Sequence, residues 1–129
     1  MLQSLKIKNF AIVENAAVEF EKGLNVITGE TGAGKSILVG ALGLVLGERS
    51  DKTMIRAGED KCGVEAEFAL ANPTPVNALL EELGLNKGED GRLIVRRIVA
   101  TGEGSKNLIN DGTATLQALK RLGDLLVDM

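Results

Sequence analysis

The stretch Gly29-Glu30-Thr31-Gly32-Ala33-Gly34-Lys35-Ser36 fits the pattern G-x-x-x-x-G-K-[ST]. Residues 24–28 precede it as a short apolar, β-branched run that predicts a buried strand. Residues 37–46 follow as an apolar run too long for a typical strand, which predicts a buried helix. Gly29, Gly32 and Gly34 let main-chain N–H groups approach phosphate oxygens closely, and a helix beginning at the loop adds its unpaired N–H groups and positive dipole end. Lys35 supplies a mobile charge to the β and γ phosphates, and the Ser36 hydroxyl is placed to ligate Mg²⁺. The expectation is a nucleotide site. The bland competitor is a glycine-rich turn in an unrelated α/β domain.

Composition narrows what such a site can do. A chain of 129 residues suits one compact domain, and 44% hydrophobic with 26% charged residues is globular rather than disordered. Three Phe with no Trp or Tyr make base stacking on aromatic platforms unexpected. The absence of His removes His-based triads and imidazole metal ligands. The single cysteine, Cys62, cannot form an internal disulfide, fits a reducing setting and reads as a small, partly buried residue. No secretory signal is visible at the start, and the longest apolar run is short of a membrane span, so a soluble cytosolic protein is expected. A net charge of −3 argues weakly against a generally basic surface, but screening within about 8 Å lets a local basic patch act independently.

Taken in order, residues 5–10 and 16–20 alternate apolar with polar positions and predict an antiparallel pair ahead of the loop strand. Gly40 and Gly43 are expected to permit close packing of the nucleotide helix, covered on most faces and ended by Gly47. Residues 48–61 form a charged connection whose acids match its bases; either it is a solvated loop, or Arg49, Lys52 or Arg56 lies beside phosphates. Val64, Ala66, Phe68 and Leu70 face one way and Glu65 and Glu67 the other, a half-buried strand with a wet face. Thr74 is expected as an N-cap with Pro75 at the first helical position, and Val76, Leu79, Leu80 and Leu83 repeat at helical spacing until Gly84.

Strands over 93–99 and 106–110, joined by a turn at 101–104, predict a hairpin. Within it Arg96 and Arg97 must point to opposite sheet faces, so at least one meets solvent, a carboxylate or a bound phosphate. After a turn at 110–112, residues 115–122 predict a small helix ended by Gly123, and 125–127 read as the start of a buried strand on which the chain stops, like a fragment.

Residues 9–14, 23–37, 41–49, 56–58, 108–112 and 122–128 together resemble the RecN family, bacterial DNA-repair ATPases related to the structural-maintenance-of-chromosomes (SMC) proteins. The resemblance covers essentially the whole chain, and the G-E-T-G-A-G-K-S wording is more specific than the general loop pattern. It implies an α/β P-loop NTPase fold: the N-terminal lobe of an ABC-type ATPase head, with an antiparallel β-subdomain packed on the P-loop strand and helix. Residues 1–129 would be that lobe, and no heptad run exists, so the coiled coil and C-terminal lobe are absent.

The implied cofactors are ATP and Mg²⁺. Gly29, Glu30, Thr31, Gly32, Ala33, Gly34, Lys35, Ser36 and Ile37 would contact the nucleotide, Ser36 the metal. Phe10, Ala11 and Ile12 become candidates for the adenine wall, and Arg56, with Arg49 and Lys52, for a basic loop near nucleotide or DNA. Implied partners are the C-terminal lobe of the same head, a second head in a homodimer, and DNA, without a membrane, in a nucleoid-associated bacterial cytoplasm. Lys35 would stabilise transition-state charge, but the water-positioning Glu belongs to the other lobe, so ATP binding with little turnover is expected of this chain alone. Two alternatives stay open: a self-contained P-loop kinase or NTPase, and a non-hydrolysing dimerisation module.

Overall fold

Alternation of apolar and polar residues from Leu2 to Phe10 buries Leu5 and Ile7 and exposes Lys6 and Lys8, giving the first strand, β1 (Leu2–Phe10). The computed structural model describes residues 2–19, 32–50, 52–102 and 104–127, with 32–36, 52, 104 and 127 described through their backbone only. The strand expected over 24–28 lies outside the described residues, as does the loop from Gly29 to Thr31. β1 pairs antiparallel with β2 (Val13–Glu19), as the alternation predicted, in a register that sets Leu5 against Val18 and Ile7 against Ala16.

On its other side β1 pairs with β3 (Lys61–Ala69), then come β4 (Arg92–Ala100), β5 (Gly104–Ile109) and β6 (Gly112–Ala114). The result is a six-stranded sheet in the order β2-β1-β3-β4-β5-β6, every pairing antiparallel. Three residues of β6 were not foreseen; they follow a turn at Asn110 and Asp111, both at positive φ, the geometry of a two-residue hairpin.

One face of the sheet carries Leu5, Ile7, Val64, Ala66, Phe68, Leu93, Val95 and Val99, all buried under helices. Helix α1 (Gly32–Val45) crosses β1, β3 and β4; α2 (Thr74–Leu83) packs on α3 (Leu116–Val127), which lies against β5. Among the described residues no helix covers the opposite face. There Glu65 sits between Lys6 (3.9 Å) and Arg96 (3.7 Å), and Glu67 pairs with Arg92 at 3.1 Å, so the expected wet face is a half-buried ladder of cross-strand ion pairs.

Several local expectations change. Helix α1 starts at Gly32 rather than at residue 37, taking the second half of the glycine motif into its first turn. As expected it is covered on most faces: Val39 alone over residues 37–46 is exposed, at 71%, while Ala41, Leu44 and Val45 are buried. Thr74 is not the N-cap of α2: Pro73 holds that place, and the Asn72 side chain accepts from the Thr74 N–H at 3.3 Å. Gly84, at φ 73°, does end α2.

The largest change is at the end of the chain. Gly123 does not stop α3, and residues 125–127 continue the helix instead of opening a strand. A Cβ on Gly123 would lie 2.3 Å from the Leu46 carbonyl oxygen, so the bare backbone there lets α3 ride directly on the end of α1. That contact outweighs the helical cost of glycine, about 1 kcal/mol relative to alanine.

Candidate nucleotide site

Only part of the glycine motif lies within the described residues, and it forms the N-terminal turn of α1. The backbone of Gly32, Ala33, Gly34, Lys35 and Ser36 is helical, and Ile37, the next residue, is half-buried. The first N–H groups of a helix have no partner inside it, and the dipole is positive at that end. This arrangement fits an anion such as a polyphosphate.

Three weaker candidates are brought together beside α1. Phe10 pairs with Ile55 in an isolated antiparallel bridge, the Ala11 N–H donates to the Met54 carbonyl at 2.7 Å, and the Arg56 N–H donates to the Asn9 carbonyl at 2.8 Å. Arg56, half-buried, is thereby fixed next to the β1–β2 turn. The turn is conformationally unusual, with Asn9 at φ 52° and Ala11 at φ 54°; alanine seldom adopts that region.

The Phe10 ring faces inward: Phe10 is 5% exposed, and its Cζ would lie 3.5 Å from a Cβ built on Gly40. It is a core residue on α1, which leaves this turn its backbone and the 78% exposed Ile12 to offer a base. Gly40 lies about 12 Å along the helix axis from Gly32, at 1.5 Å per residue. Arg49 is exposed, and Lys52 opens a short 3₁₀ turn, Lys52–Met54.

The residue that sequence reading did not place is Arg97. It is 1% exposed, on the same sheet face as Leu93, Val95 and Val99, and its Nη1 donates to the Leu44 carbonyl at 2.9 Å and to the Glu48 carbonyl. The strand alternation required one of the two arginines to face inward; it could not show that helix carbonyls would receive it. Burial pushes the Arg97 guanidinium down from its usual range, and the neighbouring Cys62 opposes this. The guanidinium stays charged at neutral pH.

Cys62 is buried, and burial pushes its thiol up, against a hydrogen bond with the Val99 backbone and the charge of Arg97. It is a packed thiol rather than a nucleophile. Among the described residues no group of three or more His, Cys, Asp or Glu is placed to hold a metal ion. A concavity of about 640 Å³ involves the open sheet face, where Lys6, Lys8, Lys61 and Arg96 line it together with Glu59, Asp60 and Glu65.

The chain has relatives among known proteins. The model of the AAA domain family matches residues 4–124. The RecN DNA repair protein of Vibrio cholerae is 46% identical over all 129 residues, and that of Halalkalibacterium halodurans 44% identical, the chain spanning 23% of the length of each. A solved structure from work on ATP-driven dimerization and DNA-stimulated activation of SMC ATPases superposes with a TM-score of 0.68 at 25% identity, over 94% of this chain and 76% of that one. Among the described residues no helix is long and apolar enough to cross a membrane.

Proposed function

The chain belongs to the AAA domain family, and we propose that residues 1–129 form the N-terminal, ATP-binding lobe of an SMC-like ATPase head acting in DNA double-strand-break repair and recombination. The observation that carries this reading is the G-E-T-G-A-G-K-S stretch entering α1 at Gly32, in a chain similar to RecN along its whole length. Gly29, Glu30, Thr31, Gly32, Ala33, Gly34, Lys35, Ser36 and Ile37 bind the triphosphate, main-chain amides and the Lys35 ammonium meeting its charge. Ser36 is the protein's ligand to Mg²⁺, which neutralises charge on the β and γ phosphates when bound. The turn at Phe10 and Ala11, with Arg56 bonded to it, flanks α1 and forms the base side of the pocket.

Hydrolysis needs a carboxylate to position water, and this reading assigns it to the C-terminal lobe of the same head, with a second head completing the site in a homodimer. The likeness to an SMC ATPase structure supports that arrangement. DNA is the further partner, and the groove on the open sheet face offers a phosphate backbone Lys6, Lys8 and Lys61, set among Glu59, Asp60 and Glu65. The cellular setting is the nucleoid-associated cytoplasm of a bacterium. What favours this over a self-contained kinase is the antiparallel pair β1–β2 ahead of the loop, together with the RecN relatives.

The test is Lys35→Ala. Deleting a charge-assisted contact of roughly 1.5–3 kcal/mol is expected to weaken Mg·ATP binding about ten- to a hundredfold, read by calorimetry. An unchanged affinity in a folded variant overturns the assignment.

A further inference from the structure

Arg97 is a buried cation for which, among the described residues, no carboxylate forms an ion pair. Its register neighbours are Val64 on β3 and Asn107 on β5, and its Nε and the Asn107 Oδ1 are both buried without a hydrogen-bond partner among the described residues. Such a residue is not an optimum for stability, because a well-packed apolar side chain of similar volume commonly does as well or better. What it does hold is the end of one helix. The Leu44 carbonyl belongs to the last turn of α1 and the Glu48 carbonyl lies just beyond its cap, where Gly47 is at φ 98°. The negative end of the α1 dipole is thus the counter-charge.

Helix α1 needs such a hold. Residues 37–46 carry no polar side chain, so its packing on the sheet is apolar and non-directional. Hydrogen bonds from a planar guanidinium are directional and fix both rotation about the axis and translation along it. A 14-residue helix is a rod of about 20 Å, so a shift at its C-terminal end carries to the first turn, where Gly32 to Ser36 stand.

We propose that Arg97 is a positioning residue for nucleotide binding: it pins the C-terminal end of α1 to β4, and so fixes the amides at the other end of the same helix on the triphosphate. The inference rests on the ATP-site reading of residues 29–36. In the full-length protein, Arg97→Met removes the charge at similar length and Arg97→Lys keeps the charge without the fork. Folding is checked by circular dichroism and thermal melting, Mg·ATP affinity by calorimetry, and backbone hydrogen exchange by mass spectrometry.

Arg97→Met is expected to raise the dissociation constant about tenfold, and Arg97→Lys to restore part of the loss. In the wild type, Mg·ATP is expected to slow exchange at residues 44–48 as well as at 29–36. A folded Arg97→Met with wild-type affinity overturns this inference while leaving the ATP site standing. A wild type that does not bind Mg·ATP removes the ATP site and this inference with it. If Arg97→Met does not fold, wild-type exchange decides: slowing at 44–48 supports the pin, and no change there overturns it.

Discussion

The two ends of α1 are built on opposite principles. At its N-terminus a glycine-rich turn, Gly32 to Ser36, begins the helix with main-chain N–H groups that have no partner inside it. At its C-terminus every device closes the helix down. The Gly47 N–H returns to the Leu44 carbonyl and the Glu48 N–H to the Gly43 carbonyl; Arg97 caps from below; and α3 lies against Leu46 through Gly123. Glycine appears at both ends for different reasons: on the proposed reading a ligand's approach at one, and at the other the approach of a second helix. A helix that presents its amides to a charged ligand needs an anchored far end, because ligand binding otherwise pays for ordering the rod.

Glycine-to-alanine substitutions separate these roles by sign. The largest effect is expected at Gly123, where a methyl group meets the Leu46 backbone: about 3 kcal/mol of destabilisation despite alanine's better helix propensity, seen as a thermal transition lowered by roughly 10 °C or more. A Gly123→Ala protein as stable as the wild type would mean that α3 does not bear on α1. Next comes Gly47→Ala, which combines φ 98° with a Cβ 2.9 Å from the Lys120 backbone; about 2 kcal/mol of destabilisation is expected from denaturant unfolding.

The smallest effect reverses direction. Gly40 sits inside α1 with ordinary contact to the Phe10 ring, so Gly40→Ala is expected to stabilise by about 0.5–1 kcal/mol, read by the same unfolding curves. Loss of stability there would show that the middle of α1 is packed as tightly as its end. It also tests the sequence-based expectation that Gly40 permits close packing.

Strand alternation was legible because its period survives any tertiary context. Leu5 and Ile7 against Lys6 and Lys8, and Val64 and Ala66 against Glu65, read the same before and after folding. While Gly29 to Thr31 lie outside the described residues, the helix after the glycine motif was legible from the length and apolar content of its run. Residues 125–127 were not, since a short apolar run has no period of its own and Gly123 looked like a stop signal. Helical spacing through Leu116, Leu119, Leu122 and Leu126 carries α3 past it. The inward placing of the Phe10 ring was hidden likewise, because an apolar strand-end residue serves a core or a ligand equally well.

By itself the sequence determined strands β1 to β5, an apolar helix after the glycine motif, and that Arg96 and Arg97 must part to opposite faces; these follow from backbone geometry and residue chemistry within a few positions. Only the tertiary structure decided that Arg97 is the one turned inward, that helix carbonyls rather than a carboxylate receive it, and that α3 continues through Gly123 onto Leu46. Those outcomes join residues some fifty to eighty positions apart in sequence, and they depend on which surfaces close together when the helices dock on the sheet, a choice that no local pattern encodes.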